Sequence, residues 1–185
     1  MKFTILITSY NKEKYLKECI QSCLNQNKND YEIILCDNFS DDGTRTILTE
    51  FENKLKIIKK KKVSKHGPVN QIDLIKEGLN ISKGDYICLL DGDDYFHSNK
   101  LVTLEKYLNI NKDLNTIFDL PEIKKNDRLK QLKVKKKYQS NIWPTIINTS
   151  SITIKKDFLI KFFNQKLFEN FDLLEIDFRL NVYSR

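Results

Sequence analysis

The run Asp85-Tyr86-Ile87-Cys88-Leu89-Leu90 passes straight into Asp91-Gly92-Asp93-Asp94-Tyr95-Phe96. An apolar stretch thus ends in three carboxylates arranged around one glycine. A strand that is apolar to its last residue and then acidic delivers those acids to the rim of a sheet. Ligands of open α/β sheets bind just outside the carboxyl ends of the strands. Carboxylates crowded there repel one another, so a cation belongs between them, and a divalent metal holding a diphosphate is the natural candidate. The octapeptide Leu89 to Phe96 also reads as a polar loop capping the next helix. The rest of the chain decides between the two.

Working outward, Lys2 to Thr8 is almost continuously apolar and rich in β-branched residues, the mark of a strand buried on both faces. It stops at Ser9-Tyr10-Asn11, a polar turn in which Asn11 is placed to cap a helix. Apolar residues at Tyr15, Leu16, Cys19, Ile20, Cys23 and Leu24 mark one face of that helix. Tyr31 to Cys36 is again strand-like and stops at Asp37-Asn38. Ser40-Asp41-Asp42-Gly43-Thr44 is a turn and cap cluster. A short helix follows through Ile47, Leu48 and Phe51, then a strand from Leu55 to Ile58. Lys59 to Pro68 reads as a loop and about Val69 to Ser82 as a helix. This alternation, with short connections, predicts a parallel sheet built by right-handed crossovers. Its first strand ends in a hydroxyl turn and its second and fourth end in Asp37 and Asp91, all on one edge.

Beyond the acidic cluster, Asn99 to Leu108 reads as a helix and Thr116 to Leu120 as a weaker strand closed by Pro121. Glu122 to Gln139 is polar and basic with no clear period, which suggests a mobile loop with room for a short helix. Trp143 to Ile154 is dense in β-branched residues and should supply one or two further strands. Lys156 to Phe163 reads as a short helix, and Glu169 to Arg185 begins as an acidic loop and turns helical near Asp177. With no internal repeat and no interdomain linker, residues 1–185 read as one domain.

The composition, 40% hydrophobic and 11% aromatic, suits a globular chain with a single core. No stretch approaches the roughly 18 consecutive apolar residues of a membrane span. Phe3 to Ile7 is too short for a signal-peptide core, so a cytoplasmic location is expected. Cys19, Cys23, Cys36 and Cys88 each lie inside an apolar pattern and none forms a Cys-x-x-Cys pair, so reduced core thiols are expected. The net charge of +7 is concentrated in Lys59 to Lys62 and between Lys124 and Lys137. These lysines read as solvated faces or as a peripheral attraction to an anionic membrane surface. No aromatics interleave with them as a nucleic-acid interface requires, so no nucleic-acid partner is expected.

Three segments together resemble the family 2 glycosyltransferases, nucleotide-sugar enzymes of the GT-A fold. They are Thr8-Ser9-Tyr10-Asn11, then Tyr31 to Asn38 with Ser40 to Thr44, and finally Ser82-Lys83-Gly84-Asp85-Tyr86-Ile87 running into Leu90-Asp91-Gly92-Asp93-Asp94. The match runs from Phe3 to roughly Tyr183. It implies an α/β fold with a mostly parallel central sheet flanked by helices. Residues 1–97 would be the nucleotide-sugar-binding half and 98–185 the acceptor-side half.

The resemblance also implies roles. Asp37 looks like the acid that hydrogen-bonds the nucleotide base, and a carboxylate accepting from an imide N–H fits a UDP-linked donor. The backbone around Thr8 and Tyr10 would line the same pocket. Asp91 resembles the residue that meets the ribose or a metal-bound water, and Asp93 the direct ligand of Mg²⁺ or Mn²⁺. Such a metal neutralises charge on a departing diphosphate. In Glu175-Ile176-Asp177-Phe178-Arg179, Asp177 occupies the place of the general base, with Glu175 and Asp172 in reserve. The implied activity is an inverting transfer of a sugar from a nucleotide diphosphate to a hydroxyl of a surface glycan. Trp143, Thr149, Ser150 and Ser151 fall on the acceptor side.

The chain departs from the family pattern at several points. One acid, Asp37, precedes Asn38 where two acids are usual, and Thr8 stands where Pro is frequent. Leu74-Ile75-Lys76 lacks an Arg-Asn pair, leaving Lys65, His66 and Gln71 as substitutes for its phosphate contact. The chain stops soon after Asp177, as either a minimal protein or a catalytic core cut from something longer. An incomplete, non-catalytic nucleotide-binding module is therefore the alternative. A sugar-1-phosphate nucleotidyltransferase is disfavoured, because Thr8 to Lys14 contains no glycine for a phosphate loop.

Overall fold

The computed structural model describes residues 1–125, 128–131, 148–165 and 170–184. Strands β1 (Phe3–Ser9), β2 (Tyr31–Asp37), β3 (Lys56–Lys59) and β4 (Tyr86–Asp91) alternate with helices α1 (Leu16–Leu24), α2 (Thr44–Phe51) and α3 (Gly67–Ile81). Then come α4 (Lys100–Ile110), β5 (Thr116–Phe118), β6 (Glu122–Lys125), β7 (Arg128–Gln131), β8 (Ile152–Lys155), α5 (Lys156–Asn164) and α6 (Ile176–Tyr183). The main sheet runs β3-β2-β1-β4-β8-β5. Its first four strands are parallel, and β8 joins β4 and β5 antiparallel.

The apolar runs of β1 and β4 are nearly continuous because the sheet is covered on both faces. Ile5, Ile7, Cys88 and Leu90 meet α1, α2 and α4 in one core layer. Leu6, Ile87 and Leu89 turn the other way, onto α3, α5 and α6. Each such side chain taken wholly from water contributes on the order of 2 kcal/mol. Gly84 is set by close approach: a Cβ there would lie 2.5 Å from the Thr4 backbone nitrogen. Its own N–H donates to Thr4 Oγ1 at 3.0 Å, which holds the entry of β4 beside the start of β1.

The strand order reverses between β1 and β4: β2 and β3 extend to one side of β1, and β4 lies on the other. Thr8 and Asp91 face each other across that switch point. This is where open α/β sheets hold ligands.

Several sequence readings are corrected. Asn11 does not cap α1, whose first turn carries no side-chain cap. It takes a left-handed φ of 52° and exchanges side-chain bonds with Asp41. Within the expected loop of 122–139, β6 and β7 pair antiparallel as a ribbon apart from the main sheet, while 126–127 and 132–139 lie outside the described residues. Ile123 and Leu129 are both exposed there, so the ribbon buries no face and leaves no hydrophobic period to read. Helix α3 starts at Gly67, with Pro in its first turn where an unpaired N–H costs nothing. Of the Trp143–Ile154 region, β8 is a strand and Thr149–Ser151 a 3-10 turn; Trp143 lies outside the described residues. All four cysteines are buried and unpaired. Burial pushes the thiols of Cys36 and Cys88 up to about 12 and about 11, where they are inert.

Candidate active site

The three acids at the end of β4 go to three different partners. Asp91 Oδ1 accepts from Thr8 Oγ1 at 3.2 Å and from Gln71 Nε2 of α3 at 2.6 Å. Asp93 pairs with the ammonium of Lys12. Asp94 accepts from Ser150 Oγ at 2.6 Å and from Asn148 Nδ2 at 3.3 Å. The Ser150 hydroxyl in turn accepts from the Asp91 backbone N–H at 3.0 Å, which ties the end of β4 to the turn before β8. Burial pushes Asp91 up to about 7, with the charges of Asp94 and Asp93 adding to it. Ionising Asp91 is thus opposed first by its burial and then by its acidic neighbours.

The loops after β1 and β2 are laced together. Asn11 N donates to Ser40 Oγ, Lys12 N to Thr44 Oγ1 and Gly43 N to Glu13 Oε2, at 2.8 to 2.9 Å. Beneath them, Asp37 is 1% exposed. Its oxygens accept from Ser40 N at 2.8 Å and Ser40 Oγ at 2.6 Å. Lys62 Nζ sits 3.4 Å from the centre of the Tyr10 ring. In the same loop Lys60 is clamped by Asp73 and Glu77 at 2.8 and 2.6 Å.

These elements enclose a cavity of about 680 Å³. Thr8, Tyr10, Asp91, Asp93 and Asp177 all border it. Asp37, expected to contact the base, does not border it, nor does the reserve acid Asp172; Asp37 is buried, and its neighbour Asn38 reaches the cavity wall. Of the substitutes considered for the phosphate contact, Lys65 and Gln71 border the cavity, but Gln71 commits its amide to Asp91.

Asp177 stands in the first turn of α6, where an acid suits the helix dipole. Burial raises its carboxyl above the usual range against the pull of the Phe178 N–H, which donates to it at 2.6 Å. Glu175 borders the same cavity and is raised by burial and then by Asp177. Arg179 points back, donating to the carbonyls of Leu174 at 2.7 Å and Phe171 at 2.5 Å. It braces the loop that carries Glu175.

A second cavity of about 690 Å³ opens on the far side of Asp94, with Tyr95, Tyr107 and Phe118 among its walls. Asn148 borders both cavities, as Thr149 borders the first and Ser150 and Ser151 the second. Sequence reasoning missed Lys12 and Asn38 as site residues. Their only signal was adjacency to Asn11 and Asp37.

A mostly parallel sheet with this strand order, and a carboxylate-lined cavity at its switch point, define a GT-A fold. The chain belongs to Glycosyl transferase family 2, whose profile matches residues 4–168. It is 35% identical over 129 residues to the poly(ribitol-phosphate) beta-glucosyltransferase of Bacillus spizizenii, covering 67% of this chain and 19% of that protein. It is 29% identical over 104 residues to the poly(ribitol-phosphate) beta-N-acetylglucosaminyltransferase TarS of Staphylococcus aureus, covering 55% of this chain and 18% of that protein. The chain thus spans about a fifth of the length of these two relatives. The crystal structure of S. aureus TarS 1–349 with UDP-GlcNAc superposes with a TM-score of 0.69 at 19% identity, over 99% of this chain and 53% of that one. A mannosyltransferase from Pyrobaculum calidifontis, in complex with GDP-Man and Mn²⁺, gives 0.64 at 15% identity, over 86% of this chain and 46% of that one.

Proposed function

We propose that the protein is an inverting glycosyltransferase that moves a sugar from a UDP-linked donor to a hydroxyl of a surface glycan. The observation that carries the reading is the single cavity at the β1–β4 switch point. It gathers Thr8, Tyr10, Asp91, Asp93 and Asp177 from segments as far apart as β1 and α6. The two relatives named for poly(ribitol-phosphate) support an acceptor rich in polyol or sugar hydroxyls, and the TarS complex supports a UDP-linked donor.

In this reading Tyr10 and Asn38 flank the base, and Asp37, bound by Ser40, supports the pocket floor from beneath. Asp91 takes the ribose side. The donor set suits Mg²⁺ or Mn²⁺: carboxylate oxygens are the ligands such cations prefer, and Asp91 and Asp93 border one cavity. Asp93 would hold the ion directly. Among the described residues no three His, Cys, Asp or Glu side chains form a complete cage, so donor phosphates would share the coordination. When bound, the ion supplies Lewis-acid stabilisation of the departing diphosphate.

Asp177 accepts the proton of the acceptor hydroxyl while that oxygen bonds to the anomeric carbon. The bond from that carbon to the diphosphate breaks on the opposite face. Burial raises Asp177, bringing its basicity closer to what proton abstraction near neutral pH needs. The second cavity, with its aromatic walls and the hydroxyls of Ser150 and Ser151, is offered as the acceptor side. The lysine runs are offered as a contact with an anionic membrane face, to be dropped if the protein ignores anionic vesicles at low salt.

The test is Asp177→Asn. Loss of a general base lowers turnover by about 10²- to 10⁴-fold, while UDP binding should stay within twofold of wild type. Turnover unchanged in the variant would remove Asp177 from the mechanism. A wild-type protein that binds UDP yet hydrolyses no UDP-sugar would favour the non-catalytic module.

A further inference from the structure

Of the three acids at the end of β4, only Asp93 is met by a charged donor among the described residues. Asp91 has the Thr8 hydroxyl and the Gln71 amide, and Asp94 has Ser150 and Asn148. Asp93 has the ammonium of Lys12, 81 residues away in the chain. The base of that lysine is fixed. Its backbone N–H donates to Thr44 Oγ1 at 2.8 Å, and Asn11 before it is left-handed and bound to Asp41 on both sides of its amide. What can move is the four-carbon stem. The two side chains are 31% and 39% exposed, so water screens the pair and it stays weak. It deters a competing cation without locking it out.

Resting on the proposed donor site, we propose that Lys12 is the protein's own counter-ion for Asp93, and that it couples metal binding to nucleotide binding. A dication at Asp93 and an ammonium on the same carboxylate repel each other, so the first displaces the second. The displaced ammonium is still tethered at the wall of the same cavity. There its complementary partner is an anionic diphosphate, which a lysine meets as a point charge. A dication arriving alone gives up the Lys12–Asp93 pair and gets nothing in return. Arriving with a nucleotide diphosphate, it lets Lys12 exchange one anion for another. Each ligand therefore raises the affinity of the other, by linkage.

The experiment is Mn²⁺ titration of the whole chain, followed by the electron paramagnetic resonance of free Mn²⁺, with and without saturating UDP. The proteins are wild type, Lys12→Met, Lys12→Arg and Asp93→Asn. Without UDP, Lys12→Met should bind Mn²⁺ about five- to tenfold more tightly than wild type, the size of a partly exposed ion pair plus the removed repulsion. The gain in Mn²⁺ affinity on adding UDP should shrink by the same factor, and Lys12→Arg should behave as wild type. Mn²⁺ affinity in Lys12→Met equal to or below wild type, with Asp93→Asn still abolishing binding, overturns the role of Lys12 and leaves the site standing. Mn²⁺ binding untouched by Asp93→Asn overturns the site and the competition with it.

Discussion

Replacing Asp91 by Asn should make the metal-free protein more stable, and only above mildly acid pH. Asn keeps an oxygen to accept from Thr8 and Gln71 but cannot ionise. In the folded protein burial and the neighbouring carboxylates raise Asp91 from the ordinary 3.8 to about 7. Between those values the folded chain holds a proton that the unfolded chain has released, so stability falls as pH rises through the window. At roughly 1.4 kcal/mol per pH unit, the stability lost by pH 7.5 is on the order of 4 kcal/mol. Urea unfolding in EDTA at pH 4, 5, 6, 7 and 7.5 would measure it. The two proteins should be nearly equal at pH 4, and the variant should pull ahead steadily up to pH 7.5. A difference that stays constant with pH would refute the reasoning, because it would mean that Asp91 titrates alike in both states. A stabilising change at this position would also mark Asp91 as a residue kept at a cost to the fold.

Gly84→Ala places a methyl against backbone rather than a flexible side chain, so overpacking of about 1–3 kcal/mol is expected. Calorimetry should record a fall of roughly 2–4 °C for each kcal/mol in a chain of this size; an unchanged melting temperature would show that β4 enters less tightly than described. Ser40→Ala removes a buried hydroxyl that donates to Asp37 and accepts from Asn11. About 2 kcal/mol should be lost, as for a hydrogen bond to a charged group, together with weaker UDP binding. Equal urea midpoints would mean that Asp37 finds another donor.

The sheet was legible because strands covered on both faces carry an almost unbroken apolar signal, as Phe3 to Ile7, interrupted only at Thr4, and Tyr86 to Leu90 do. Strand ends are equally readable, so Asp91 and Asp93 could be placed at the rim from order alone. What each acid meets there was not. Lys12 reaches Asp93, and Gln71 reaches Asp91, across packed elements whose separation in space no local pattern encodes. Asp37 illustrates the limit from the other side. The sequence identifies an acid at a strand end, but its burial and its two bonds from Ser40 follow from how the β2 loop folds back. The β6–β7 ribbon was illegible for a simpler reason, having no buried face to impose a period.

The central claim is that the cavity at the β1–β4 switch point binds a uridine diphosphate through a cation held by Asp93. A thermal-shift measurement with UDP, with and without Mn²⁺, in wild type and Asp93→Ala tests it most directly. Ligand at about 100 times its Kd stabilises the native state by about 2.7 kcal/mol, which corresponds to a rise of roughly 5–10 °C for this size of chain. The expected result is that rise in wild type with Mn²⁺ only, and none in Asp93→Ala. The same rise without metal, or in the variant, would contradict the claim.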